Sequence, residues 1–556
     1  MLLRPGLLAE SEETEVYMNQ EILDQAAIMA PAVDEGGTSS SGNTYLPFIM
    51  AMAGSIAIIA ARVSLGGAGF ISNEALMMLA LASYLIAAVF YLTNFYAPFR
   101  FAEKLGLWAA TLGVCLNLSS WLVRWAADYE RELEIFVRQG NSAADMPWVF
   151  RYVPFANLYD LSLAFAFGAG VTTLLIMRRP QFRLLAGFSL PLAAIILVLA
   201  RFIGGEFMNL PPVLDSYWRP IHVGVASLSY GIALVCFAIA VLYLLRDGLD
   251  VEKMSVWSAI FALSVFATIG KFSVFSPSTF GTYTASTFVG DSRMSLALRA
   301  DIPYVGWLIV AAAILLVAAI LAHASFLSGG EAKYRVMGRR LLLGALAVQG
   351  AGIAMLVYQL KTIGSVVALI NPAQYPRFAT WMLQQQGVPQ QQINQIGASQ
   401  LYDIASKWVL ENGSALHLSL KANPVELSAL ITAFAGTFFI VLFSFKTDKI
   451  REALPPAETL DAMMYKLGGI TFAGLALLLI TGAVWANESW GRYWGWDAKE
   501  VGALVAWFTY AGFLHSRIAY GWKGRRSAYF AIIAFLFVIF TYLGVSYLLP
   551  GLHSYA

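Results

Sequence analysis

GAVWANESWGRYWGWDAKEVGALVAW, residues 482–507, joins two long apolar runs, at about 464–485 and 500–520, through a short polar stretch dense in tryptophan. Runs of about 20 apolar residues are long enough to cross a bilayer as helices. The loop between them carries Trp485, Trp490, Trp494 and Trp496, together with Tyr493 and a few charges. Tryptophan at helix ends anchors them at the membrane boundary. The same indoles also form a wide, rigid π surface suited to a large flat ligand. Their number alone favours anchors; the literal string points to the ligand.

The rest of the chain has the same character. Of 556 residues 59% are apolar and 13% charged, and the mean hydropathy is +0.66. A soluble domain cannot cover itself with so little polar surface, so an all-α polytopic membrane protein is expected. The net charge of +2 argues against nucleic acid as a partner. Cys115 and Cys236 each lie inside an apolar run and read as packing residues, not a redox pair. Besides the two runs above, apolar stretches occur at about 46–62, 75–95, 105–124, 157–177, 182–200, 219–245, 253–270, 304–326, 340–365, 425–445 and 527–548. About thirteen transmembrane helices are therefore expected.

Loops rich in Lys and Arg stay cytoplasmic. Arg100 with Lys104, RRPQFR at 178–183, Lys333 to Arg340, Lys446 to Arg451 and Lys523 to Arg526 all fall on one side. That places the N-terminus inside, and the C-terminus and the tryptophan loop outside. Residues 1–44 are polar and acidic, without the basic start and apolar stretch of a signal peptide, and read as a tail. The expected organisation has four parts: the tail at 1–44, membrane helices at 45–250, an insertion at 251–425 and a C-terminal core at 426–556. The insertion holds an outer loop at about 366–424 with the Gln-rich string WMLQQQGVPQQQINQ. It reads as a polar, partly helical cap or as a docking surface.

The string WANESWGRYWGWDAKE resembles the haem-handling WWD motif of the CcsA/ResC family of System II cytochrome c biogenesis. The likeness continues through FLHSR, GWKGRR and FTYLGVSYLLPGLHSYA. It is close over about a hundred C-terminal residues and looser over roughly 75–245. ETLDAMMYK, at 458–466, matches the family's LDxxxYK stretch, here displaced by the four inserted helices. Ala498 stands where the family usually has Pro, and Gly502 where it usually has Trp.

Five histidines remain to be weighed. His222, in SYWRPIHVGVASLSY, and His553, in GLHSYA, fall by topology at the depth of the tryptophan loop. Two imidazoles would fill both axial positions of a haem iron, and both positions match the family's outer ligands. The bland alternative is a pair of interfacial residues hydrogen-bonded to backbone or water. His515 lies within a span, where an ionisable group is costly and usually marks a pathway or ligand. It matches the family's membrane-embedded histidine, whose second ligand comes from a CcsB/ResB-type partner. His323 reads as a helix-end cap or as a substitute for that partner's ligand. His417 reads as a solvated loop residue. Arg492 and then Arg219 are candidate partners for haem propionates. Arg517 and Lys523 read as topology-setting charges, and Asp497 belongs to the motif itself. Asn157 to Asp160, in YVPFANLYD, resembles the family's PxSNLYE segment and reads as a cavity wall or a helix cap.

The resemblance implies haem b as bound cargo, held by Trp485, Trp490, Trp494, Trp496, Asp497 and Arg492 with iron on His222 and His553, and on His515 during transit. It implies a cytochrome c synthase working with a CcsB/ResB-type subunit, a thioredoxin-like thiol reductant and apo-cytochrome c. The setting would be the bacterial inner membrane with the site facing outward. Alternatives are a System I CcmF- or CcmC-like subunit and a secondary transporter of another amphipathic molecule.

Overall fold

The computed structural model describes residues 45–65, 67, 71–97, 99, 101–203, 212–269, 282–289, 292–301, 304–362, 373, 375–385, 388–412, 416–418 and 424–545. The polar tail at 1–44 and His553 lie outside the described residues. The first half of the bundle is α1 (Leu46–Ser64), α2 (Asn73–Tyr96), α3 (Ala102–Arg138), α4 (Leu158–Ile176), α5 (Ala186–Ile203) and α6 (Trp218–Arg246). Next come α7 (Val251–Ile269), α8 (Val305–Gly329) and α9 (Ala332–Thr362), then the shorter α10 (Tyr375–Gln385) and α11 (Ala398–Asn412). The chain closes with α12 (Pro424–Phe445), α13 (Thr447–Ala453), α14 (Ala457–Trp490), α15 (Ala498–Tyr520) and α16 (Arg525–Ile539). A π-helical turn, Phe540–Gly544, continues α16.

Among the described residues, ten helices are long and apolar enough to cross a membrane, or eleven if α12 and α13, bent by 90°, count as one. The two other predicted spans, α7 and α15, are helices of 19 and 23 residues that are not among these. α15 carries Lys499, Glu500 and Arg517 as well as His515, which dilutes its apolar content.

α6 is the central helix, packing against α4, α5, α14 and α16. Association inside a membrane depends on close contact between helix surfaces, which small residues permit. A Cβ on Gly231 would lie 2.5 Å from the backbone nitrogen of Ala169, so α6 and α4 touch backbone to backbone. The inserted α8 and α9 pack with α7 and α12 as a neighbouring group, joined to the rest through the α6–α7 connection and α12 against α5.

Buried charges pin the ends of these helices in pairs. Arg62 of α1 makes two 2.7 Å bonds to Glu130 of α3. Arg124 of α3 pairs with Asp160 of α4, and both side chains are fully buried. Glu252 of α7 accepts from Arg335 and Arg339 of α9 at 2.6 and 3.1 Å. Arg517 of α15 donates to Asp461 of α14 through Nη1 at 2.9 Å, and also through Nη2. Removing one partner of such a pair leaves a buried charge uncompensated.

A small antiparallel sheet accompanies the helices. β1 (Thr282–Val289) pairs with β2 (Ser292–Asp301) and with β3 (Leu416–Leu418), giving the order β2-β1-β3. In the expected polar cap, α10 and α11 pack around Phe378, Leu401, Ala405 and Val409, with Trp408 edge-on to Phe378 at 5.3 Å.

Candidate functional site

α14 ends where the tryptophan loop begins. Gly491 adopts φ +71° and donates its N–H to Asn487, the left-handed cap that only glycine takes without strain. α15 restarts seven residues later on a capping box. Asp497 accepts from the N–H of Lys499 at 3.3 Å, and Glu500 Oε2 accepts from Asp497 N at 3.1 Å and Gly495 N at 2.8 Å. The box fixes the loop's exit and satisfies helix N-terminal donors. Ala498 occupies the first helical position. Asp497 before it is extended, at φ −65° and ψ 152°, the conformation a residue preceding Pro adopts, so the cap keeps its shape without one.

His222 lies in the second turn of α6 and faces α14. Its Nδ1 is 2.9 Å from the carbonyl oxygen of Leu478 and 3.4 Å from Thr481 Oγ1. A carbonyl only accepts, so Nδ1 carries the proton and Nε2 carries the lone pair. Gly482 makes room for the ring, since a Cβ there would stand 2.7 Å from His222 Cε1. Trp485 packs on the imidazole at 5.7 Å between ring centres and is 7% exposed.

Around these residues opens a cleft of about 1150 Å³, its mouth included. Its walls are the start of α4 with Asn157, the start of α6, the end of α14, the loop, and the π turn beyond α16. From the predicted set it gathers His222, Trp485, Trp490 and Trp494, with Tyr493 and Asn157 beside them. A concave, mainly apolar and aromatic lining with a few polar groups is typical of small-molecule sites. Asn157 serves both expected roles, since its Oδ1 also accepts from Asp160 N at 3.0 Å and caps α4. The family described as "Cytochrome C assembly protein" matches the chain over residues 155–266 and 307–553.

The chain belongs to the cytochrome c assembly protein family. Among its relatives are proteins named "Cytochrome c biogenesis protein CcsA". That of Gloeobacter violaceus is 54% identical over 99 residues, covering 18% of this chain and 29% of the relative. That of Chlamydomonas reinhardtii is 36% identical over 152 residues, or 27% and 41%. That of Trichormus variabilis is 51% identical over 104 residues, or 19% and 30%. The chain thus spans less than half the length of these relatives.

Within this chain, the remaining sequence candidates are placed differently. Trp496 is 74% exposed, with φ +58°, and meets Trp494 edge-on at 5.9 Å. Asp497 is buried as the helix cap. Arg492 is exposed and folds over Gly495, where a Cβ would lie 2.9 Å from its Nη2. Arg219 is buried and donates to the backbone oxygen of Arg151 at 2.8 Å. None of these four lines the cleft. His515 is exposed on the surface of α15, with Tyr520 edge-on at 5.7 Å. His323 is 1% exposed, its ring set against Gly338 of α9, where a Cβ would stand 2.3 Å from Nε2.

Two residues that sequence reasoning passed over matter here. Asp461, the acid of the LDxxxYK stretch, holds Arg517 and accepts from Gly524 N at 3.0 Å, while Tyr465 of the same stretch stacks under the guanidinium at 4.7 Å. The stretch is therefore a lock between α14 and the turn after α15. The other is Lys499. It lines the cleft from the polar first turn of α15, ahead of the apolar run, and burial lowers its ammonium pKa to about 8, with Asp497 opposing the shift.

Proposed function

We propose that this membrane protein acts in cytochrome c biogenesis by holding haem in the tryptophan cleft and presenting it for attachment to apo-cytochrome c. The observation that carries the reading is the His222 imidazole, its tautomer set by Leu478 and its ring flanked by Trp485, at the wall of an open aromatic cleft. A neutral imidazole with its lone pair on Nε2 is an axial ligand for haem iron, and an N–H···O=C bond at the other nitrogen strengthens it. His553 is the proposed second ligand. Trp490 and Trp494 support the ring plane.

His515 is the proposed ligand for haem passing through the membrane. Its exposure on α15 supports this, because a lone imidazole on a membrane-facing surface is unfavourable unless a partner or ligand covers it. The partner is proposed to be a CcsB/ResB-type membrane protein that supplies the second ligand. The site faces the outer side of a bacterial cytoplasmic membrane, where a thioredoxin-like reductant keeps the acceptor's cysteines as thiols. Each thiol of the acceptor's CxxCH segment adds across one haem vinyl group, forming a C–S bond while the thiol hydrogen goes to the other vinyl carbon. The protein contributes position, ligation and electrostatics to that addition.

The test is an absorption spectrum of the detergent-purified protein, produced with and without its partner. A six-coordinate low-spin spectrum that is lost in His222→Ala and His553→Ala is the expected result. Protein that is colourless from haem-replete cells under both conditions refutes the proposal.

A further inference from the structure

Two side chains lining the cleft are formally charged, Lys499 and Glu500, among the described residues. Glu500 is committed to the loop, since its Oε2 accepts from the backbone of both Gly495 and Asp497. The arginines that the sequence offered for anion binding lie elsewhere: Arg492 folds over Gly495, and Arg219 is turned to the Arg151 carbonyl. The cation that a ligand meets inside the cleft is Lys499. It sits in the first turn of a helix, where the backbone dipole adds to its attraction for an anion. Asp497 and Glu500 lie beside it, both bonded to backbone N–H groups of the loop and first turn, and the rest of the lining is largely aromatic or aliphatic, with Tyr493, Trp494, Ala503 and Tyr542.

From this we infer that Lys499 recognises a carboxylate of the cargo, so that the cleft selects flat apolar ligands bearing acid side chains over neutral ligands of the same shape. The inference rests on the haem-holding reading and adds its specificity: the propionates, not only the iron, are read. Two features support it. The half-buried ammonium lies on a lining that is mostly aromatic and aliphatic, where water screens its attraction for a bound carboxylate only weakly. A charge-assisted hydrogen bond also holds one edge of a planar ring, fixing its rotation in the cleft, which stacking alone leaves free.

The experiment compares haem with its dimethyl ester, in which both propionates are masked, by titration of the detergent-purified full chain and its variants. Quenching of tryptophan fluorescence reports occupancy and the visible spectrum reports ligation. The wild-type preference for the diacid should fall by about tenfold or more in Lys499→Gln, the usual worth of a hydrogen bond to a charged group. Binding of the ester should fall far less than that of the diacid in that variant, and retention of the His222-dependent spectrum shows that the cleft has folded. Lys499→Arg should keep part of the preference. An unchanged preference in Lys499→Gln, with a spectrum still dependent on His222, overturns the role of Lys499 alone. A spectrum independent of His222 overturns the haem-holding reading beneath it.

Discussion

Gly482→Ala tests the site through a single methyl group. The new Cβ would lie 2.7 Å from His222 Cε1 and 3.0 Å from Nδ1. Carbon atoms rest at about 3.5 Å or more, so the ring must retreat by roughly 0.8 Å. Such a move stretches the 2.9 Å contact with Leu478 beyond hydrogen-bonding range. The lost bond costs about 1 kcal/mol and the overpacking about 1–3 kcal/mol. The gain from replacing glycine by alanine within a helix offsets about 1 kcal/mol. The net destabilisation is thus small, about 1–3 kcal/mol, and the protein stays folded. Ligation has no such compensation, because the imidazole is displaced and its tautomer released together. Thermal unfolding of the purified variant should show a modest loss, while the low-spin haem spectrum falls toward that of His222→Ala. A variant that keeps the full wild-type spectrum refutes the close seating of His222 against α14.

Asp461→Asn leaves Arg517 without its counter-charge at a buried site, and should lower stability by about 3–5 kcal/mol, read as early thermal aggregation in detergent; unchanged unfolding removes the lock. Ala498→Pro places proline at a first helical position whose predecessor is already extended, and should raise stability by about 0.4–1 kcal/mol without altering haem content. Lys499 titrates near pH 8 in the empty cleft, and a paired carboxylate raises that pKa. Haem affinity should therefore be full below pH 8 and decline as pH rises through it, falling at most about tenfold per unit. His222, Glu500, Tyr230, Tyr493 and Tyr542 line the same space and Asp497 acts on Lys499 from beside it, so the decline must vanish in Lys499→Gln to be assigned.

The helical membrane architecture was legible because apolar runs of span length follow from the bilayer alone. The gathering of His222 with the tryptophans was legible because counting spans puts residues hundreds of positions apart at one depth. What escaped were features that depend on side-chain direction. Four indoles in a loop look alike in sequence, yet Trp485 packs on the histidine and Trp496 turns outward on a left-handed backbone. Arg492 was the obvious cation by position in the string, whereas the helix phase of α15 gives the cleft Lys499. Gly502, in place of the usual Trp, gained a reason only from packing: a Cβ there would stand 3.1 Å from both Thr541 Oγ1 and Val545 Cγ2, so the glycine admits the π turn against α15. The strands Thr282–Val289 and Ser292–Asp301 escaped because the chain's apolar patterning is helical almost throughout.

The backbone contact between Gly231 of α6 and Ala169 of α4 has a mechanical consequence for the site. No side chain separates the two helices there, so no rotamer change can widen or narrow their spacing. His222 lies nine residues before Gly231, about 13 Å along the same helix axis. The imidazole is therefore mounted on a stiff post. The opposite jaw of the cleft is a seven-residue turn, hinged on a left-handed glycine and a left-handed tryptophan and closed by hydrogen bonds to Glu500. Loading and unloading a flat cargo requires the jaws to part, and the compliance for that resides in the turn. On the proposed function, the His222 imidazole stays as a fixed reference while Trp494, carried by the turn, moves against it.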